Sequence, residues 1–283
     1  MIESNLTGAL KQVTPAVLLR AVGLVRKGKV YRLAHTLEPA MPQLVDNPDI
    51  ARGRRLTIEM RTTDLPQFGT QIFSDWVSFE THSGTHIDCF SHWSWNGRMH
   101  GGLDPTEVYS DDGMKKLGLD EAAPLVTRGV LIDVAGCKGA EWLPGGTVLQ
   151  PEELQEALQR QGVGLQSGDV VLVRTGWAKH WRSASVYMSE APGLSRRSAE
   201  WIADQQCVAI GIDQSLVDPL PPERIEDRRA CHEVCLVERG MYLMESLNLE
   251  DLVRDRVFEF LFVAAPAPLK GGTGFPIQAL AIV

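Results

Sequence analysis

The spacing of apolar residues divides the chain into short elements of alternating kind. In TPAVLLRAVGLVRKGKV, residues 14–30, Leu18, Leu19, Val22 and Val25 fall near one face of a helix. Thr14 can cap that helix, and Pro15 sits where a first-turn proline is tolerated. Arg20, Lys27 and Lys29 interrupt the apolar run well short of the ~20 residues a membrane span requires, so the segment predicts an amphipathic helix rather than a signal sequence or anchor. VYRLAHTLEP then alternates like a strand. DVVLVRT, CVAIGID, VFEFLFVAA and IQALAIV are apolar runs of strand length. Two helical patterns lie between them. PEELQEALQRQG opens on a proline and closes at Gly162, and SRRSAEWIADQQ opens on Ser195 with Ala199, Ile202 and Ala203 facing inward.

These elements predict a mixed α/β domain. The strands are not separated by regular crossover helices, so neither a simple doubly wound sheet nor a TIM barrel matches the order. Internal repeats, low-complexity tracts and long linkers are absent from the sequence. We expect one domain over residues 1–283, with residues 1–30 as a helical extension.

Composition adds exclusions. Apolar residues make up 44% of the chain and charged residues 23%, as in ordinary soluble proteins rather than disordered or fibrous ones. The net charge of -8 is spread without a basic stripe, which points away from nucleic acid and anionic lipid and toward a small molecule. Cys89, Cys137, Cys207, Cys231 and Cys235 are odd in number and form no CxxC pair, so reduced thiols and a cytoplasmic location are expected. Cys231 and Cys235 flank His232, but no second thiolate pair completes a tetrahedral zinc site.

The densest chemistry lies in HSGTHIDCFSH, residues 82–92, which holds His82, His86, Asp88 and His92. Taken singly, each histidine reads as a hydrogen-bonded core or surface residue. Together, buried imidazoles and a carboxylate need a common partner, and a divalent cation satisfies both kinds of ligand. Imidazole narrows the ion to Zn²⁺, Mn²⁺ or Fe²⁺. An extended chain would hold His82 and His86 about 13 Å apart, too far to share one ion with bonds of ~2.1 Å, so the chain must turn at Ser83, Gly84 and Thr85. A helical start beyond the turn would set Asp88 and His92 on one face.

The run HSGTHIDCFSHW resembles the HxGTHxDxxxH motif of the cyclase-like metal-dependent hydrolases, a group that includes bacterial kynurenine formamidase and isatin hydrolase. The resemblance extends through YRLAHTLEPAMP, VLVRTGWAKHW and GLSRRSAEWIADQQCVAIGID, and leaves out the first thirty residues. It implies a swivelling β/β/α fold, a mixed sheet with flanking helices, and a homodimer or homotetramer. It also implies that His82, His86 and Asp88 bind a first metal and that His92 is catalytic. Where a second ion binds, the aspartate bridges, and the matching distal ligands are His232 in CHEVCLVERG and Glu245 in LMESLNL, with Glu233 and Glu238 as nearby acidic alternatives. Zn²⁺ or Mn²⁺, as one or two ions, is the cofactor implied. Better-known formamidases carry proline where this chain has Phe90, a departure that bears on substrate more than on chemistry.

A divalent ion lowers the pKa of bound water toward ~7, and the hydroxide so formed can attack a carbonyl. His92 is then the group that takes the water proton and returns it to a leaving nitrogen. Phe90, Trp93 and Trp95 offer an aromatic wall for a flat substrate, such as an N-formyl aryl amine or an isatin-like lactam. A lactone or ester at the same site is the nearest variant. His100 is expected in a mobile loop, His35 and His180 are expected to be structural, and Asp213 and Ser215 lie at a strand end with no readable partner. Two other classes compete: a non-haem Fe(II) oxygenase using His86, Asp88 and His232, which would be nearly all-β, and a non-catalytic metal-binding module.

Overall fold

The computed structural model describes residues 6–47, 53–222 and 229–283. Among the described residues, the strands run in chain order: β1 (Val30–Arg32), β2 (Thr57–Leu65), β3 (Thr70–Ser78), β4 (His86–Asp88), β5 (Leu125–Asp133), β6 (Val148–Leu149), β7 (Val170–Arg174), β8 (Gly193–Leu194), β9 (Ala209–Ile212), β10 (Tyr242–Glu245), β11 (Glu259–Ala264), β12 (Gly274–Pro276) and β13 (Leu280–Ile282). The helices are α1 (Pro15–Val22), α2 (Pro105–Val108), α3 (Val134–Cys137), α4 (Pro151–Gln161), α5 (Ala184–Tyr187), α6 (Arg196–Asp204), α7 (Ala230–His232) and α8 (Glu250–Arg254).

Nine strands form one mixed sheet in the order β1-β13-β11-β5-β7-β9-β10-β4-β12. Its centre, from β5 through β7 and β9 to β10, is parallel, and both flanks are antiparallel. Strands β7, β9 and β10 are buried over their whole length, as a parallel sheet covered on both faces requires, which is why VVLVR and AIGI read as continuous apolar runs. The expected mixed sheet with flanking helices is therefore present, and it is not the nearly all-β barrel that the oxygenase alternative needs.

The two longer expected helices form with the expected caps. Ser195 Oγ accepts from Ser198 N–H at the start of α6, and α4 closes on Gly162 in the left-handed region. The first helix differs in the face it buries. Val17 and Ala21 are buried, while Leu19 is 70% exposed and Val22 47% exposed. A two-turn helix has little apolar stripe of its own, and here α1 packs on β5 and β11 through its small residues. The first five residues of the expected extension lie outside the described part.

Four strands near the site gave no usable pattern. β4 is only HID, β12 is GFP, and β2 and β3 form an exposed hairpin paired with each other alone. The expected helical start after Gly84 is instead strand β4, and a 3-10 turn begins only at Phe90.

At the centre of the sheet Gly129 on β5 stands opposite Phe260 on β11, and a Cβ on Gly129 would lie 2.2 Å from the Phe260 ring. Gly129→Ala should destabilise the protein by about 1–3 kcal/mol through overpacking, and trimming Phe260 to Leu in the same chain should recover part of that loss in denaturant titrations. Strictly additive effects would show that the ring does not set the requirement.

Candidate metal centre

Gly84 makes the turn that the histidine spacing demands. Its φ is +63°, and a Cβ there would lie 2.5 Å from Leu37 Cδ2, so both the conformation and the space call for glycine. Thr85 then clamps the start of β4: its hydroxyl accepts from His35 N–H at 2.9 Å and donates to the Ser246 carbonyl. β4 runs between β10 and β12, with His86 opposite Glu245 and Asp88 opposite Leu243. Because side chains alternate along a strand, His86, Asp88 and Glu245 share one face. His232 reaches the same point from α7, which continues as a π-helical segment, Glu233–Arg239.

The result is a closed ring of contacts. His86 Nε2 lies 3.4 Å from Asp88 Oδ1 and 3.5 Å from Glu245 Oε2, while His232 Nε2 lies 3.7 Å from Asp88 Oδ2 and 3.6 Å from Glu245 Oε1. These separations are long for hydrogen bonds. Ligand atoms held ~2.1 Å from one ion at tetrahedral angles stand about 3.4 Å apart, so the ring has the edge lengths of a coordination shell. Both imidazoles are oriented for metal binding, since His86 Nδ1 donates to the Gly84 carbonyl at 2.9 Å and His232 Nδ1 meets Asp218 Oδ2 at 2.5 Å. A neutral ring that donates from Nδ1 carries its lone pair on Nε2, where a metal would need it. Asp88 Oδ2 is buried with no hydrogen-bond partner, an expensive state for a carboxylate oxygen unless a cation occupies the site.

The remaining motif histidines group differently from the ligand set the resemblance implies. His82 Nδ1 is 2.7 Å from Asp88 Oδ1, its Nε2 is 2.9 Å from Thr273 Oγ1, and its ring stacks on His92 at 3.9 Å. Two potential ligand groups follow, His82 with Asp88 and His92, and His86 with Asp88 and Glu245. Asp88 belongs to both, as a bridging carboxylate would. His92 thus stands within ligand distance of Asp88 as well as beside the cavity.

Electrostatics sort the same residues. Burial opposes charge on His86, but Asp88 and Glu245 beside it raise its pKa to about 9. Burial likewise opposes charge on His232, and Asp218, Glu245 and Asp88 raise it to about 9. Burial, together with the charge of Asp88, lifts Glu245 to about 7. Burial also opposes ionisation of Asp88, yet the neighbouring imidazoles of His92 and His82 hold it well below the usual carboxylate range. His92 is pushed down to about 3, chiefly by burial, and is a neutral imidazole at physiological pH.

A cavity of about 280 Å³ opens onto this cluster. It lies where Ser215 and Leu216 follow β9 and where Glu245 and Ser246 end β10, at the carboxyl ends of parallel strands, where ligand crevices of open α/β sheets usually form. Pro42, Leu44, Trp93, Met188 and Leu216 supply an apolar wall, and Arg229 a cation. Trp93 also packs on His232, with ring centroids 5.2 Å apart. The other two aromatic candidates do not line the cavity. Phe90 is buried against Tyr242 and His100, and Trp95 lies under the Arg196 guanidinium. Glu233 and Glu238 also bind Arg196, which leaves Glu245 as the carboxylate at the cluster.

His100 is not in a mobile loop; it is buried and bonded to the Val237 carbonyl, because the glycines after it fold the chain back into a 3-10 turn. His35 stacks on Trp181 with ring centroids 4.0 Å apart. Asp213 ties β9 to the end of β7 by accepting from Thr175 N–H, Thr175 Oγ1 and Gly176 N–H. Cys231 and Cys235 are buried thiols outside both ligand groups. Asp218 was missed by sequence reasoning although it follows Asp213 and Ser215 in GIDQSLVDP. Its link to His232 spans fourteen residues and has no fixed spacing that would reveal it.

The Cyclase family model matches residues 31–219. The chain belongs to the Cyclase family. That match ends before His232 and Glu245, which the fold alone brings to the cluster. Among curated relatives, isatin hydrolase of Roseibium aggregatum is 24% identical over 253 residues, covering 87% of this chain and 89% of that protein. Kynurenine formamidase of Bordetella petrii is 24% identical over 204 residues, covering 72% of this chain and 78% of the relative. A crystal structure described as a novel cyclase superposes with a TM-score of 0.88 at 24% identity, over 99% of this chain and 97% of that one, and shows the shared Cyclase fold. Among the described residues no helix is long and apolar enough to cross a membrane.

Two outcomes follow for metal binding. His86 and His232 hold protons up to pH about 9 without a metal, and those protons must leave before Nε2 can ligate. Affinity for Zn²⁺ or Mn²⁺ should therefore rise with pH toward about 9 and release protons, as measured by calorimetry in buffers of different ionisation enthalpy; a flat profile between pH about 6 and 8.5 would count against it. Asp218→Asn removes the charge behind His232 and should weaken metal binding by about 10–100-fold, and an unchanged dissociation constant would show that His232 needs no such support.

Proposed function

We propose that the protein is a metal-dependent hydrolase that cleaves an amide, either an N-formyl aryl amine or a cyclic lactam of the isatin kind. The observation that carries the reading is the ring formed by His86 Nε2, His232 Nε2, Asp88 and Glu245, with contacts of 3.4–3.7 Å around one point at the floor of a cavity. Those four residues would hold one ion; His82 bonds to Asp88 beside it, and His92 stacks on His82. Two imidazoles and two carboxylates suit Zn²⁺ or Mn²⁺. When bound, such an ion lowers the pKa of water toward ~7 and polarises a carbonyl.

The chain's own residues supply the rest. His92 stands at the cavity wall, stacked on His82 beside Asp88, where it would accept a proton from water and deliver it to a leaving nitrogen. Trp93 and the Leu44, Met188 and Leu216 side chains present an apolar surface to an aromatic ring, and they exclude water from the reacting end. The named activities of the isatin hydrolase and kynurenine formamidase relatives involve this kind of substrate and support the same reading. A small aromatic molecule is the partner proposed.

Elemental analysis of purified protein and a hydrolysis screen of N-formylkynurenine, isatin and aryl formamides test the proposal; a fully folded protein that binds no divalent metal would remove it. His92→Ala should retain metal and lose about 10²–10⁴-fold in turnover, whereas His86→Ala should lose the metal itself. Loss of metal from the His92 variant would make His92 a ligand instead.

A further inference from the structure

Two adjoining clefts share no lining residue with the cavity at the metal cluster. The smaller, of about 210 Å³, is lined by Arg20 of α1, Arg128, Asp169 and Glu259. The larger, of about 350 Å³, is lined by Arg26, Lys27, Arg256 and again Glu259, together with the apolar Val257 and Phe258. Asp169 immediately precedes β7, so the clefts lie at the amino end of that strand, whereas the cavity opens at the carboxyl ends of β9 and β10. Arg20, Arg26 and Lys27 come before residue 31, where the Cyclase match begins.

The carboxylates of this region are already engaged. Arg128 Nη1 donates to Asp169 Oδ2 at 2.8 Å, and its Nε and Nη2 donate to Glu259 Oε2 at 3.0 and 2.7 Å. Asp255 accepts from Tyr31 Oη at 2.8 Å and pairs with Lys29, and Asp251 pairs with Arg254. The side chains of Arg20, Arg26, Lys27 and Arg256 make no hydrogen bond or ion pair among the described residues. Five cations thus line the clefts against two carboxylates, on a chain whose net charge is -8. A terminal carboxylate at Val283, which also borders the larger cleft, would still leave two positive charges in surplus.

The backbone at Arg256 adds a second observation. Arg256 follows α8; its N–H donates to the Val253 carbonyl and Val257 N–H to the Leu252 carbonyl, the paired bonds of a Schellman turn. The left-handed position of such a turn ordinarily belongs to glycine, as Gly162 takes it after α4, yet Arg256 holds φ +55° there. An unfavourable conformation kept by a residue whose side chain has no partner is a mark of function rather than of stability. We propose that these clefts bind a small, multiply charged anion, its oxygens held by Arg26, Lys27 and Arg256 with Arg20 alongside, at a site independent of the reaction catalysed. Guanidinium groups pair with phosphate and carboxylate oxygens alike, so anionic oxygen is the chemistry recognised. A surplus of more than one charge selects a multivalent ligand, and cations gathered in clefts rather than along a stripe select a small solute over a polymer backbone.

Calorimetric titration of the full chain with pyrophosphate and with the tricarboxylate tricarballylate tests this, with acetate as the monovalent control. At least one of the two probes should bind more tightly than about 1 mM in ~50 mM salt, and acetate should not; the tighter of the two tells phosphate from carboxylate recognition. Arg26→Gln with Arg256→Gln should weaken binding at least tenfold. Removing the same charge elsewhere, by Arg61→Gln with Arg197→Gln, should leave it unchanged. Binding should persist in His86→Ala, which separates the site from anion capture by a metal. Arg256→Gly supplies a readout independent of charge pairs: it should raise the melting temperature by about 2–4 °C while weakening the anion. Binding of neither probe would overturn the proposal, as would equal losses in the two glutamine pairs or binding that vanishes with the metal.

Discussion

The structure depends on keeping two carboxylates, Asp88 and Glu245, buried a few ångströms apart. Each is almost without solvent contact, and Asp88 keeps one oxygen with no hydrogen-bond partner. Like charges so placed are tolerated only with positive charge between them, which here means protons on His86 and His232 or a cation in their stead. The polar cluster, the orientation of its imidazoles and the position of the cavity all follow from meeting that requirement.

The sheet meets it through register. Pairing β4 with β10 puts His86 across from Glu245, and a slip of one residue between them would set the two side chains on opposite faces. The register is held at one end by the Thr85 hydroxyl, which binds backbone groups of residues 35 and 246. On the far side, Asp218 holds His232 and also accepts the Cys231 N–H, so the helix start and the imidazole are oriented by a single carboxylate. Similar anchoring recurs away from the site. Arg174, at the end of β7, joins Asp133, Glu250 and the Glu141 carbonyl, and Asp213 clasps β7 to β9. Arg128 within β5 is likewise held by Asp169 and Glu259.

The root of the β2–β3 hairpin and the cavity are neighbours. Gln43 and Glu80, which flank the hairpin in sequence, line the cavity, and Gln43 fastens the hairpin root.

By itself the sequence determined the elements whose signals are local. The apolar runs became β7, β9, β11 and β13, the caps at Ser195 and Gly162 closed their helices, and the HSGTHIDCFSH spacing required the turn at Gly84. Crowded histidines beside an aspartate also marked the metal-binding chemistry, and the motif resemblance brought in His232 and Glu245. Only the tertiary structure decided which residues face one another. It separated His82 and His92 from His86 and Glu245, sent Phe90 into the core, gave Glu233 and Glu238 to Arg196, and set Asp218 behind His232. The physical reason is range: caps, turns and periodicity act within a few residues, whereas β4 meets β10 across more than 150 residues through backbone pairing that any side chains of suitable burial could satisfy.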